Sequence, residues 1–280
     1  MPTTGRFLAA STITFRREPL EVALARSSSC GYDAIDLGLV RDYCPHWDPV
    51  ETTERLTKEF VERMTSGSGP RVAAVTAAPP FEFAPIAQGK IAIQYAEESV
   101  KLAGRLGAAV IAFPSFDPPS GSESADAKRA RIGAALARLA KAGAAAGVTV
   151  AIEAPEPRSL CPDLAAAERL LAAAGDASLR IAFDCAHAAA CGLEPAAAFR
   201  ALAPRVAHVH LRDRKGDADA VPGEGSIDFA SLFAAIAAAG YGGGFSVELL
   251  STELDLDVRA AEASRAREFL APRLAEAGLL

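Results

Sequence analysis

Val150-Ala151-Ile152-Glu153, Ile181-Ala182-Phe183-Asp184, Val206-Ala207-His208-Val209-His210 and Phe245-Ser246-Val247-Glu248 each end an apolar run on a residue able to bind a metal. Side chains on a strand alternate between two faces with period two. Ala151 and Glu153 therefore share a face, as do Ala182 and Asp184, His208 and His210, and Ser246 and Glu248. If the four runs are successive strands of one parallel barrel, Glu153, Asp184, His210 and Glu248 converge at its carboxyl rim, where barrel enzymes carry their chemistry. The small residues beneath them leave room for a pocket. A single acidic strand end reads as a solvated rim residue or a helix cap. Three such acids and a histidine on four successive strand ends, behind runs that should be buried, do not.

Reading outward, strand-like runs near 7–13, 34–39, 72–77 and 109–113 precede those at 149–154, 180–184, 206–211 and 245–249. Helix-like stretches separate them, as expected for repeated βα units. The clearest, Asp126 to Ala146, is rich in alanine, leucine and arginine and closes at Gly147. The fold expected is α/β, a single-domain (β/α)8 TIM barrel over residues 1–280. The irregular stretch from Phe113 to Ser124 is expected to be a rim loop, and Asp228 to cap the helix starting at Phe229.

Composition narrows the function classes. The chain has 280 residues, half of them hydrophobic, and a formal charge of −6, which gives no general affinity for nucleic acid or acidic membranes. Residues 1–15 hold one arginine and no sustained apolar core, and no uninterrupted apolar run reaches membrane-spanning length. A soluble, cytoplasmic protein is expected. Five cysteines without CxxC spacing are read as reduced and mostly structural.

Ile152-Glu153, Asp184-Cys185-Ala186-His187, His210-Leu211-Arg212-Asp213, the segment from Pro222 to Phe229 and Val247-Glu248 together resemble the xylose isomerase-like superfamily of sugar isomerases and epimerases. The DxxH, HxRD and PGEG segments carry the likeness, which covers nearly the whole chain without specifying a substrate. It implies that Glu153, Asp184, His210 and Glu248 bind one divalent metal ion. Manganese is expected first, with magnesium, cobalt or zinc as alternatives, because the set is oxygen-rich with one imidazole. It also implies that His187 contacts substrate or steadies a ligand. The apurinic endonucleases of the same superfamily fit poorly. Only four histidines are present, none near the third strand end, and there is no basic stripe.

The expected activity is isomerisation or epimerisation of a sugar, keto-sugar or cyclitol through a metal-stabilised enediolate, with Glu153 and Glu248 as the acid/base pair. A lyase that eliminates water or aglycone from a related polyol or keto-glycoside is the alternative. A non-catalytic binding or partner subunit is the alternative from another class. Substrate contacts are expected from His187, Arg212, His46 and Trp47, the last two in an irregular loop with Arg41 and Tyr43 after the second strand that either walls the pocket or packs onto the rim. Phe81, Phe83, Phe113 and Phe116 either extend that wall or shield the barrel top. Asp213 is expected to hold Arg212 or to orient His210, and the loop of Arg212, Arg214 and Lys215 to be solvated. His208 is read as structural. No nucleic-acid or membrane partner is expected, and a homo-oligomer is compatible with the alanine-rich helices.

Overall fold

The computed structural model describes residues 6–80, 83 and 87–280, so Phe81 lies outside the described residues. Eight parallel strands close a barrel: β1 (Leu8–Ser11), β2 (Ala34–Val40), β3 (Arg71–Ala78), β4 (Val110–Phe113), β5 (Thr149–Glu153), β6 (Arg180–Asp184), β7 (Val206–Leu211) and β10 (Gly244–Val247). They neighbour one another in chain order, and β10 pairs with β1 to complete the ring. Between β7 and β10 an antiparallel hairpin of β8 (Asp213–Lys215) and β9 (Ala218–Ala220) rises from the rim, a feature absent from the sequence reading. Residues 12 and 13, expected in the first strand, instead form a 3-10 turn with Thr14 and Phe15. The Ser11 hydroxyl accepts the Ile13 N–H at 3.3 Å and turns the chain there.

Around the barrel run α1 (Leu20–Ser29), α2 (Glu54–Thr65), α3 (Ala87–Leu106), α4 (Ala125–Ala146), α5 (Leu164–Ala174), α6 (Cys185–Ala190), α7 (Pro195–Leu202), α8 (Phe229–Ala238) and α9 (Leu256–Glu276). Local chemistry sets several of their limits. Ser124 and Asp163 accept N–H bonds at the starts of α4 and α5. Gly147 and Gly175, at φ +72° and +64°, end the same helices in a left-handed conformation that glycine adopts without strain. Asp228 caps α8 as expected, accepting the Ser231 N–H at 3.0 Å. No helix among the described residues is long and apolar enough to cross a membrane.

Strand alternation produces two separate apolar clusters. Outward-facing residues such as Ile35, Val75, Ile111, Ile152, Phe183 and Val209 pack with the helices. Inward-facing Ala9, Ala34, Ala74, Val110, Ala112, Ala151 and Ala182, joined by Phe7, fill the barrel. Mostly small residues suit eight converging strands, where side chains must share one axis. Above this layer the interior turns polar.

Candidate metal centre and active site

Glu153 and Asp184 are the last residues of β5 and β6, His210 is the penultimate residue of β7, and Glu248 follows β10 by one position. Glu153, Asp184 and His210 offer ligand atoms that all lie within 4.8 Å of one another. Glu248 is buried beside them, its Oε1 3.8 Å from the Arg212 guanidinium. Asp184 divides its work. Oδ1 accepts the His187 N–H at 2.8 Å to start α6, while Oδ2 meets Arg212 Nη1 at 3.1 Å.

Burying carboxylates together is costly unless cations accompany them. Arg212 touches Asp184, Glu248 and, at 2.7 Å, Asp219 on β9. His187 Nδ1 lies 3.1 Å and His210 Nδ1 3.5 Å from Glu153 Oε1. Burial opposes charge on Glu153, His187 and Glu248, and the neighbours outweigh it at the first two. His187 and His210 hold Glu153 well below the usual carboxylate range despite its desolvation. Burial opposes protonation of His187, yet Asp184 and Glu153 hold it at about 9. Burial dominates at Glu248 and pushes it to about 7 against the pull of Arg212 and His210.

These residues fit a divalent cation. Carboxylate oxygens with one imidazole suit manganese, magnesium or cobalt, and accommodate zinc. Three inward carboxylates sharing a small volume are the charge pattern such an ion neutralises.

The other predicted residues separate. His187 and Arg212 join the cluster, with Arg212 Nη1 3.1 Å from His187 Nε2. The loop is exposed from Lys215 to Asp219, as expected, but Arg212 itself is buried at 4% exposure, and the loop is the β8–β9 hairpin that brings Asp219 to it. Asp213 neither holds Arg212 nor orients His210. Its carboxylate accepts N–H bonds from Arg214, Gly223, Gly225 and Ile227 at 2.8 to 3.0 Å, so it organises the PGEG turn. A Cβ on Gly225 would meet Asp213 Oδ1 at 2.2 Å, which explains the glycine.

His46 is turned toward protein groups, with Nδ1 3.0 Å from Thr12 Oγ1 and Nε2 3.1 Å from the Glu18 carbonyl oxygen. Trp47 stacks on Phe60 of α2 with centroids 4.0 Å apart. Burial raises the Tyr43 phenol in that loop, and the Arg16 guanidinium lies over its ring, 4.8 Å from the centroid. Phe83, Phe113 and Phe116 are buried in the outer core. His208 is buried and bonded to Ser246 Oγ at 2.7 Å. A cavity of about 690 Å³ opens between the hairpin and residues 248–253, reaching the cluster at Arg212 and Glu248.

Sequence reasoning missed two carboxylates. Asp36, inside β2, is fully buried and forms a second close group with His208 and His210. Its signal was an acid between Ile35 and Leu37, two positions after inward-facing Ala34. Glu156, just past β5, accepts two bonds from Ser115, the N–H at 3.1 Å and the hydroxyl at 2.9 Å, both at Oε2. Burial, with Glu153 nearby, raises its carboxyl above the usual range.

Solved structures with the same fold include an L-ribulose 3-epimerase, 21% identical with TM-score 0.80, the match covering 98% of this chain and 96% of the other. A probable 3-DHS dehydratase of petrobactin synthesis from Bacillus anthracis is 16% identical, with TM-score 0.72 and coverage of 92% and 97%. The IOLI protein with a bound zinc atom is 16% identical, with TM-score 0.74 and coverage of 95% and 99%. At these identities the likeness is one of fold. No curated protein sequence matches the chain. The profile described as xylose isomerase-like TIM barrel matches residues 24–273, a span that takes in seven of the eight barrel strands and all four converging rim residues, and the chain belongs to that family.

Proposed function

We propose that the protein is a divalent-metal-dependent isomerase or epimerase of a sugar, keto-sugar or cyclitol, with manganese as the first metal to test. The observation that carries this reading is the meeting of Glu153, Asp184 and His210 within 4.8 Å at the carboxyl rim, with Glu248 buried alongside. When bound there, a divalent ion would draw charge from a substrate carbonyl and acidify the adjacent C–H.

The chain's own groups do the rest. Glu153, kept ionised by His187 and His210, takes the proton on one face. Glu248, pushed to about 7, exchanges a proton on the other. Two faces give epimerisation, and return of the proton to the neighbouring carbon gives isomerisation. His187 and Arg212, with Nε2 and Nη1 3.1 Å apart beside the rim carboxylates, would orient substrate oxygens, with Asp219 bracing the guanidinium. The cavity beside Arg212 and Glu248 admits a small polyol.

A dehydrating lyase is the second reading, and Glu156 favours it. A carboxyl that burial and the nearby Glu153 raise above the usual range is suited to protonate a departing hydroxyl. Manganese-loaded protein in deuterated water, offered ketoses and inososes, should incorporate deuterium at the carbon next to the carbonyl. Epimer formation supports the first reading and loss of water the second. Near-normal turnover in both Glu153→Gln and Glu248→Gln would remove the acid/base assignment.

A further inference from the structure

His210 stands between two carboxylates. Nδ1 faces Glu153 Oε1 at 3.5 Å, on the side where Asp184 completes the rim trio. Nε2 faces Asp36 Oδ2 at 3.4 Å, inside the barrel, and makes no hydrogen bond of good geometry among the described residues. Asp36 is itself fixed: the Thr76 hydroxyl lies 3.0 Å from each of its oxygens. Both are buried, and neither has a bulk-water alternative.

We propose that Asp36 is a positioning residue for the metal centre, accepting the Nε2–H of His210 so that the Nδ1 lone pair is presented to the ion. The inference rests on the metal site proposed above. A neutral imidazole carries one N–H and one lone pair, so the partner of one nitrogen sets what the other can do. A ligand histidine whose second nitrogen meets a carboxylate gains a fixed tautomer, a fixed ring plane and a more basic donor. The strands supply the geometry. The β2–β3 register shifts by one residue at Ile35/Asp36, and the β6–β7 register shifts at Ile181/Ala182, which faces His208. Such irregularities re-aim side chains near functional sites.

The alternative use of Asp36, His208 and His210 is a second ion deeper in the barrel. It would require His210 to lose its N–H and bridge two cations. It would also require His208 Nε2 to leave its 2.7 Å bond to Ser246. The orienting role needs neither change.

The test is titration of metal-free protein with Mn2+ by calorimetry, for wild type, Asp36→Asn, Thr76→Val and Glu153→Gln, with folding checked by circular dichroism. One ion per chain is expected, with affinity about 10- to 100-fold weaker in Asp36→Asn and a smaller loss in Thr76→Val. If Glu153→Gln binds Mn2+ as wild type does, the metal site itself is misassigned. If Glu153→Gln weakens binding while Asp36→Asn does not, the site stands and the role of Asp36 falls. Long-range proton–nitrogen spectra of zinc-loaded wild type give a readout that does not depend on any variant folding. His210 should show a protonated Nε2 and an unprotonated, metal-shifted Nδ1. The opposite tautomer, or two ions per chain, overturns the proposal.

Discussion

The barrel interior holds two layers built from the same strands on the same face. In the lower layer are Ala34, Ala74, Ala151, Ala182 and Ser246, and two positions further on, roughly 6.6 Å along each strand, come Asp36, Thr76, Glu153, Asp184 and Glu248. The lower layer is mostly apolar and closed by Phe7, whose ring lies so near Gly244 that a Cβ there would meet its Cζ at 2.1 Å. The upper layer crowds acids against Arg212, His187 and His210. One layer is selected for volume and the other for charge, so stability and chemistry are separable within a single set of strands.

The largest expected effect strikes the upper layer alone. Glu153→Gln should cut substrate deuterium exchange on the order of 10² to 10⁴ and shift thermal unfolding less than any large-to-small change in the layer below. Its mirror is Phe7→Ala, which should cost about 3–5 kcal/mol in urea unfolding and leave Mn2+ affinity in the wild-type range. A parallel fall of stability and metal affinity in the Phe7 variant would show that the layers are coupled after all.

Asp213→Ala probes the boundary between them, because its neighbour Arg212 serves the cluster while Asp213 serves the turn. Loss of its acceptor oxygens should cost about 1–3 kcal/mol. Gly223 and Gly225 should lose amide-exchange protection while Mn2+ still binds one ion per chain. Unchanged protection at those two amides would refute the turn-organising role. Outside both layers, Asp228→Ala removes the cap of α8 and should cost about 1 kcal/mol, read as a lower urea midpoint with unaltered deuterium exchange.

Much of this was legible along the chain. The eight apolar runs became the eight barrel strands because burial on both faces leaves few polar residues inside a parallel strand. The three acids and the histidine that end four of them stand out for the same reason. The structure brings Glu153, Asp184, His210, Glu248, His187 and Arg212 together, whereas His46 and Trp47 turn to Thr12, Glu18 and Phe60. An aromatic loop residue looks the same in sequence whether it faces a ligand or a helix. Asp36 was missed because a lone acid inside an apolar run carries no mark of its partner. The β8–β9 hairpin was missed because its strands are three residues each, too short for a periodic signal.

The sequence by itself determined the barrel, its strand order and the inward placement of Glu153, Asp184, His210 and Glu248 at the rim, since period-two alternation and apolar runs are local properties of a strand. Only the tertiary structure decided that Thr76 would hold Asp36, that Asp36 would face His210 and that Asp219 would brace Arg212. Those pairings join β2 to its neighbour β3, β2 to β7 across the barrel, and the hairpin to the residue after β7. Their distances are set by ring closure and by single-residue register shifts, and no spacing along the chain encodes either.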